Sequence, residues 1–169
     1  DSIEGNPLEQ PSSKYRGYLA LIEEFKPTQA TLVPDDTNQL TSDHGWDISE
    51  LNGENFTSSI INNCDRCSVF VNAGTDLSSL NNKNINAIEI YTGPYAVAHK
   101  SGNKELLDIE LKKIIFTAES AREAGLRVNA GHDLDLSNIP LLRERDLIDE
   151  VSIGPVSYTH LRAHETLLD

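Results

Sequence analysis

The sequence predicts an α/β fold of the (β/α)8-barrel type, on three observations. Short apolar runs of strand character alternate with longer segments of helical periodicity, which is the pattern of parallel strands joined by crossover helices. The turn G-x-G-x-x-G, which a doubly wound dinucleotide-binding sheet carries after its first strand, does not occur. Several of the apolar runs end in polar residues. This is expected of a barrel, in which the carboxyl ends of the strands converge on one active site.

The strand candidates are short enough to be buried parallel strands, and each is bounded by loop residues. We predict strands at Ile3–Glu4, Gln29–Val33, Cys67–Asn72, Ala87–Thr92, Arg127–Ala130 and Glu150–Ile153. The polar residues at or near their ends are Glu4, Asn72, Glu89, Thr92, Asn129 and His132.

The helix candidates lie between these runs. The clearest is Lys104–Ala124, which places apolar residues on one face and is followed by Gly125, a typical C-cap residue. Asp47 and Glu50 have the spacing of a capping box, which predicts a helix from there to about Ile61. The remaining predictions are a helix at Arg16–Phe25 and a long polar loop at Asp35–Trp46.

Length and charge limit the class of protein. The chain has 169 residues, the size of one domain, and a net charge of −13 at pH 7. This charge argues against a nucleic-acid partner, because phosphate groups would be repelled. Backbone amides at helix N-termini still allow a phosphorylated substrate. No apolar run is long enough to cross a bilayer and no secretory signal is visible, so we expect a cytoplasmic protein without a membrane partner.

The two cysteines, Cys64 and Cys67, have the C-x-x-C spacing. Such a pair can serve redox chemistry or supply half of a zinc site. No second pair accompanies them, and Cys67 opens the apolar run of a predicted strand. We therefore interpret Cys67 as a buried strand residue and Cys64 as a loop residue, and we expect no metal site.

Two of the predicted strands carry the candidate chemistry. The segment Val128–Leu134 reads VNAGHDL and puts His132 at the carboxyl end of a strand, where parallel α/β folds hold their active sites. Glu89 lies between Ile88 and Ile90, so it points into the barrel if those two pack under helices. A carboxyl group buried there needs a partner or a raised pKa, which is typical of a functional group. Together they predict acid/base chemistry on a small phosphorylated molecule.

Six short strings, in this order and spacing, resemble one enzyme family. They are Ser2–Gly5 (SIEG), Thr31–Asp35 (TLVPD), Leu40–Asp47 (LTSDHGWD), Ala87–Ala96 (AIEIYTGPYA), Val128–Leu134 (VNAGHDL) and Glu150–Gly154 (EVSIG). The family is pyridoxine 5′-phosphate synthase, a (β/α)8 or TIM-barrel enzyme of vitamin B6 synthesis. The resemblance implies a partial barrel of about six of the eight strands, from the third to the start of the eighth.

The resemblance also implies an activity. Enzymes of this family condense 3-amino-2-oxopropyl phosphate with 1-deoxy-D-xylulose 5-phosphate to form pyridoxine 5′-phosphate, phosphate and water. The implied partners are small phosphorylated substrates, with a homo-oligomer for the complete enzyme, no metal and no organic cofactor.

The resemblance assigns a role to six residues of this sequence. Glu4 matches the family's general base, His132 its proton donor, and Glu89 a carboxylate that stabilises charged intermediates. The positions that match substrate contacts are Thr41, Asp133 and Gly154. At Asp133 the implied contact is made by the backbone, so its side chain is expected to matter little.

The sequence departs from the family pattern at both ends. The family's early Asn-x-Asp-His and His-x-Arg segments have no counterpart, and Pro155 stands where the family has a phosphate-binding histidine after Gly154. The string Val156–Thr166 (VSYTHLRAHET) resembles the translation of a sequencing adapter. We therefore expect a barrel domain at 1–154 and a non-native tail at 155–169, and we expect the chain itself to be inactive.

Two other hypotheses stay open at this stage. The chain could be another phosphate-handling barrel, such as a sugar-phosphate isomerase or aldolase, although no lysine occupies a strand end as an aldolase would require. It could also be a non-catalytic binding domain with a natural C-terminal helix.

Overall fold

The structure, a computed structural model, describes residues 2–35, 42–52, 56–144 and 146–153. Within these ranges the chain forms one six-stranded sheet in which every neighbouring pair is parallel and the strand order follows the chain. The strands are β1 (Ser2–Gly5), β2 (Gln29–Leu32), β3 (Arg66–Asn72), β4 (Ala87–Tyr91), β5 (Arg127–Gly131) and β6 (Glu150–Ser152). The helices are α1 (Tyr18–Phe25), α2 (Ile48–Leu51), α3 (Phe56–Ile61), α4 (Gly93–Ser101), α5 (Lys104–Glu123) and α6 (Ile139–Arg143).

The outer face of the sheet is apolar, because alternate residues of each strand point to opposite sides. Helices α1 and α5 pack on this face through side chains such as Ile22 and Ile114. The outward strand residues that are fully buried there are Ala30, Leu32, Cys67, Val69, Val71, Ile88, Ile90, Val128 and Ala130. Removal of this apolar surface from water is the main force that holds helices and sheet together.

The inner face of the sheet carries polar residues. At the amino ends of the strands, Arg66 Nη1 lies 2.8 Å from Gln29 Oε1 and 2.6 Å from Glu150 Oε2. Arg127 Nη2 lies 3.2 Å from Glu150 Oε1. Arg66 on β3 therefore contacts Glu150 on β6, three strands away. Such a contact requires the sheet to curl toward its inner face. The fold is therefore the partial (β/α)8 barrel that the sequence predicts.

The predicted strands are confirmed to within two residues at each end. The prediction of one helix from Asp47 to Ile61 is wrong. The capping box of Asp47 and Glu50 is present, but α2 ends at Leu51 and a separate helix, α3, follows. The C-cap of α2 is Asn52, a residue type that favours helix ends over helix interiors.

Helix α4 was not predicted, and no bounds were predicted for α6. Helix α4 begins directly after Thr92 and carries Pro94 in its first turn, where proline is tolerated. Its small residues give no clear amphipathic pattern. Helix α6 has five residues, too few for a helical period to be visible.

The predicted polar loop Asp35–Trp46 is described only at its two ends, and its last residue belongs to the core. Trp46 is buried, its ring N–H donates to the carbonyl of Leu32 at 3.0 Å, and its backbone N–H donates to the carbonyl of Phe70 at 2.8 Å. Gly45 runs so close to β3 that a Cβ atom there would lie 2.4 Å from the Val71 carbonyl carbon. The loop is thus anchored to β2 and β3.

The cysteines have the structural roles predicted for them. Cys67 is buried in β3, Cys64 is partly buried in the turn before it, and both are free thiols. Burial raises the pKa of the Cys67 thiol to about 12, which makes it unreactive at neutral pH. No helix in the described ranges combines the length and the apolar character needed to cross a bilayer.

We expect Ile90→Ala to lower the free energy of unfolding by about 2–5 kcal/mol, because it removes a fully buried side chain between the sheet and its helices. The matched control is Val97→Ala on α4, where the side chain is 63% exposed and a change within about 0.5 kcal/mol is expected. Urea unfolding followed by circular dichroism measures both. Equal losses would contradict the described layering.

Candidate functional site

Glu89 is the most buried carboxyl group of the inner face. It lies on β4, points away from the buried Ile88 and Ile90, and is 3% exposed. Burial raises its pKa to about 7; the charge of Glu4 adds to this effect, and a hydrogen bond from Ser152 opposes it. Its Oε2 atom has no hydrogen-bond partner among the described residues. The prediction that Glu89 points into the barrel and is buried there is confirmed.

Glu4 stands on the same face, on β1. Glu4 is exposed, but the surrounding protein partly desolvates its carboxyl group, and this desolvation, followed by the nearby charge of Asp35, raises its pKa. Asp35 is held at the carboxyl end of β2, where its backbone carbonyl accepts from Asn6 Nδ2 at 2.7 Å and its Oδ2 atom accepts from Ser42 Oγ at 2.6 Å. Glu4 and Glu89 therefore both retain protons to higher pH than free carboxyl groups, as general acids and bases at neutral pH must.

His132 occupies a strained turn directly after β5. Its φ is 88° and that of Asp133 is 56°, both in the left-handed region that residues with a Cβ atom seldom adopt. Thr92 restrains this turn: its Oγ1 lies 2.6 Å from the carbonyl oxygens of Gly131 and of His132. Its backbone N–H also donates to the Gly131 carbonyl at 2.9 Å.

The imidazole ring of His132 is oriented by two neighbours. The ring of Tyr91 meets it edge-on, with ring centres 5.0 Å apart, and Tyr91 in turn packs against Phe70 at 5.6 Å. His132 Nδ1 lies 3.0 Å from Asp133 Oδ2. The Asp133 side chain thus makes a contact that the sequence did not indicate.

The described site combines the three predicted catalytic residues at one end of the sheet. The charge of Glu4 acts on Glu89, and the Oε1 atom of Glu89 lies directly over Gly131, the residue before His132. Thr41 and Gly154, the other predicted substrate contacts, lie outside the described residues.

Ser68 and Ser152 were missed by the sequence reasoning, whereas Asn129 was predicted only as a polar residue near a strand end. Ser68 Oγ and Asn129 Oδ1 are buried and, like Glu89 Oε2, have no hydrogen-bond partner among the described residues. Such atoms are the ones a ligand or ordered water satisfies. Asn129 pairs in register with Glu89, and Ser152 ends β6 beside them. Only the strand register, which the sequence does not give, brings them together.

The chemistry open to this site is proton transfer and charge stabilisation. Among the described residues no group of three or more His, Cys, Asp or Glu side chains could hold a metal ion. The strands of the described ranges contain no lysine that could form a Schiff base. What the site offers is two carboxyl groups with raised pKa values and an oriented imidazole.

Comparison with known proteins identifies related sequences. The sequence model of the family described as "Pyridoxal phosphate biosynthesis protein PdxJ" matches residues 6–159. Pyridoxine 5′-phosphate synthase of Xanthomonas axonopodis pv. citri (strain 306) is 41% identical over 157 residues, which cover 90% of this chain and 60% of the relative. The proteins of the same name from Chelativorans sp. (strain BNC1) and Xylella fastidiosa (strain M12) are 40% and 42% identical over 161 and 159 residues.

The residues covered by these matches are relevant to the predicted role of Glu4 and to the predicted tail at 155–169. The chain spans about 60% of the length of the curated relatives it matches. The family match begins after Glu4, so the role of Glu4 rests on the resemblance of SIEG and on its electrostatic effect on Glu89. The match ends at residue 159, within the segment 155–169, whose assignment as a non-native tail stays a prediction.

We expect Glu89→Gln to change how stability depends on pH. Because the pKa of Glu89 is about 7 in the folded chain, against an ordinary value of 4.5, the folded state holds a proton between these pH values that the unfolded state has released. The chain therefore loses stability as the pH rises from 4.5 to 7, by about 3 kcal/mol. Glu89→Gln cannot ionise, so urea unfolding at several pH values should show a smaller loss.

The matched control is Glu123→Gln, at an exposed position of α5. This variant should keep the pH dependence of the unsubstituted chain. The same dependence in both variants would contradict a raised pKa at Glu89.

We expect Thr92→Val to destabilise the turn that carries His132. The substitution keeps the shape of the side chain but removes the hydroxyl donor shared by two carbonyl groups, which costs about 1–3 kcal/mol. Thr92→Ser keeps the hydroxyl and should lose less. Urea unfolding compares the two, and equal losses would show that the hydroxyl does not restrain the turn.

Proposed function

Because the chain belongs to the family of pyridoxal phosphate biosynthesis protein PdxJ, we propose that the whole protein is a pyridoxine 5′-phosphate synthase. It condenses 3-amino-2-oxopropyl phosphate with 1-deoxy-D-xylulose 5-phosphate, releasing inorganic phosphate and water and closing the pyridine ring. The observation that carries this proposal is the buried carboxyl group of Glu89, which lies beside the His132 turn and interacts with the charge of the exposed Glu4.

Each of these residues has a role in the proposed reaction. Imine formation, loss of water and ring closure all require protons to move between carbon, nitrogen and oxygen atoms of the substrates. Glu4 is the general base and His132 the proton donor. Glu89 stabilises the cationic intermediates, because its carboxylate supplies a negative charge at a position shielded from water.

The substrates are small phosphorylated molecules, which Thr41, Asp133 and Gly154 contact, Asp133 through its backbone. Neither a metal nor an organic cofactor takes part. The whole protein acts in the cytoplasm as a homo-oligomer.

The isolated chain is expected to be inactive and prone to aggregation. In the described ranges β1 and β6 each pair with one neighbour only, so each presents an unpaired edge. Purified chain supplied with both substrates should form no pyridoxine 5′-phosphate by chromatography. Turnover close to that of one of the longer relatives would overturn this expectation.

A chimera tests the proposed activity. In the gene of the Xanthomonas relative, the segment that aligns with residues 2–153 is replaced by the sequence of this chain. We expect the folded chimera to form pyridoxine 5′-phosphate from the two substrates. Glu89→Gln and His132→Asn should each lower kcat by about 10²–10⁴-fold, the usual contribution of a positioned acid or base, while Glu123→Gln should leave it unchanged.

The outcomes of this experiment are separable. A chimera that is folded by circular dichroism but yields no product would contradict the proposed function. Product formed equally fast by the Glu89 and His132 variants would preserve the function and overturn the residue roles.

A further inference from the structure

The carboxylate of Glu89 extends beyond β4 and the residue that is paired with Glu89 on β5. In register Glu89 is opposite Asn129, and Gly131, two residues later on β5, is opposite Ser152 on β6. A Cβ atom on Gly131 would nevertheless lie 2.0 Å from Glu89 Oε1 and 3.0 Å from Ser152 Cβ. The carboxylate therefore leans toward the carboxyl ends of the strands and crosses β5 toward β6.

Glycine is needed at position 131 because there is no space for a side chain, and not because the backbone adopts a positive φ. The glycines with positive φ in the described ranges are Gly17, Gly74, Gly102 and Gly125. Gly131 has an ordinary strand conformation that alanine could adopt. A side chain at position 131 would occupy the space that the Glu89 carboxylate takes.

We infer that Gly131 and Ser152 are positioning residues for Glu89, in which Gly131 leaves room for the carboxylate and the Ser152 hydroxyl donates a hydrogen bond to it. This inference rests on the proposed function only in giving Glu89 its charge-stabilising role. With the carboxylate held in this way, Oε2 keeps no partner among the described residues and stays available to a ligand.

The hydrogen bond opposes the other influences on Glu89. Burial and the charge of Glu4 on β1 both favour the protonated form, whereas the Ser152 hydroxyl favours the carboxylate. On β6, Glu150 lies in the register row of Asn129, but it is bound by Arg66 and Arg127 at the amino ends of the strands. At the other end of β5 stand His132 and Asp133, which pair with each other. Ser152 thus helps to keep Glu89 ionisable near neutral pH.

The test measures the pKa of Glu89 in the full 169-residue chain. Carboxyl ¹³C resonances of labelled glutamate are followed against pH, and the resonance lost in Glu89→Gln identifies the residue. Infrared titration of the protonated carboxyl band gives the same value on samples that are not monodisperse. We expect Ser152→Ala to raise the pKa by about one pH unit, because a hydrogen bond to the charged form is lost. Ser152→Thr, which keeps the hydroxyl, should restore it.

Gly131→Ala provides an independent arm. The atom it meets is the far end of a flexible side chain, so we expect the variant to fold with the carboxylate displaced from Ser152 and its pKa raised, as in Ser152→Ala. Once the carboxylate has left, adding Ser152→Ala should raise the pKa little further.

An unchanged pKa of Glu89 in both Ser152→Ala and Gly131→Ala would overturn the inference, as would fully additive effects in the double variant. Neither result depends on turnover. Failure of the chimera to make product would therefore count against the proposed function alone.

Discussion

The site depends on the alternation of side chains along parallel strands. On β4, Ile88 and Ile90 pack under helices, and Glu89 between them has to face the interior of the curled sheet. A slip of one residue would exchange these positions and place a carboxylate in the helical layer, at a cost of several kcal/mol. The apolar burial that stabilises the fold is therefore also what fixes Glu89 in the site.

Among the described residues, the glutamate carboxyl groups of the barrel interior have neighbours of opposite charge at one end and of like charge at the other. At the amino ends of the strands, Arg66 and Arg127 neutralise Glu150. At the carboxyl ends, Glu89 is buried and Glu4 is exposed, each has like charges near it, and both pKa values rise. Paired charges stabilise a fold, whereas desolvated like charges destabilise it and create acid/base groups. Barrels hold their chemistry at the carboxyl end, and the electrostatics of this chain follow that division.

The sequence predicted what depends on local pattern and missed what depends on register. The strands, helix α5 and the inward direction of Glu89 follow from residue periodicity, and all were predicted. The contacts of Ser152 with Glu89 and of Asp133 with His132 were not. The first joins strands that are not neighbours, and the second depends on a positive φ at two successive non-glycine residues. Neither condition leaves a signal in spacing or composition.

The two kinds of acid/base group are held by different means. Glu4 and Glu89 lie on strands, whereas His132 lies on a turn whose left-handed backbone is costly by about 1–3 kcal/mol for each such residue. Such a turn persists only where its surroundings over-determine it. Thr92, which precedes α4, binds it from one side, and on the other side Tyr95 donates to the Asn138 carbonyl at 2.6 Å while Asn138 Nδ2 donates to the Asp133 carbonyl at 3.1 Å. One short helix that the sequence did not reveal therefore restrains both sides of the histidine turn, so that the imidazole is oriented before any substrate binds.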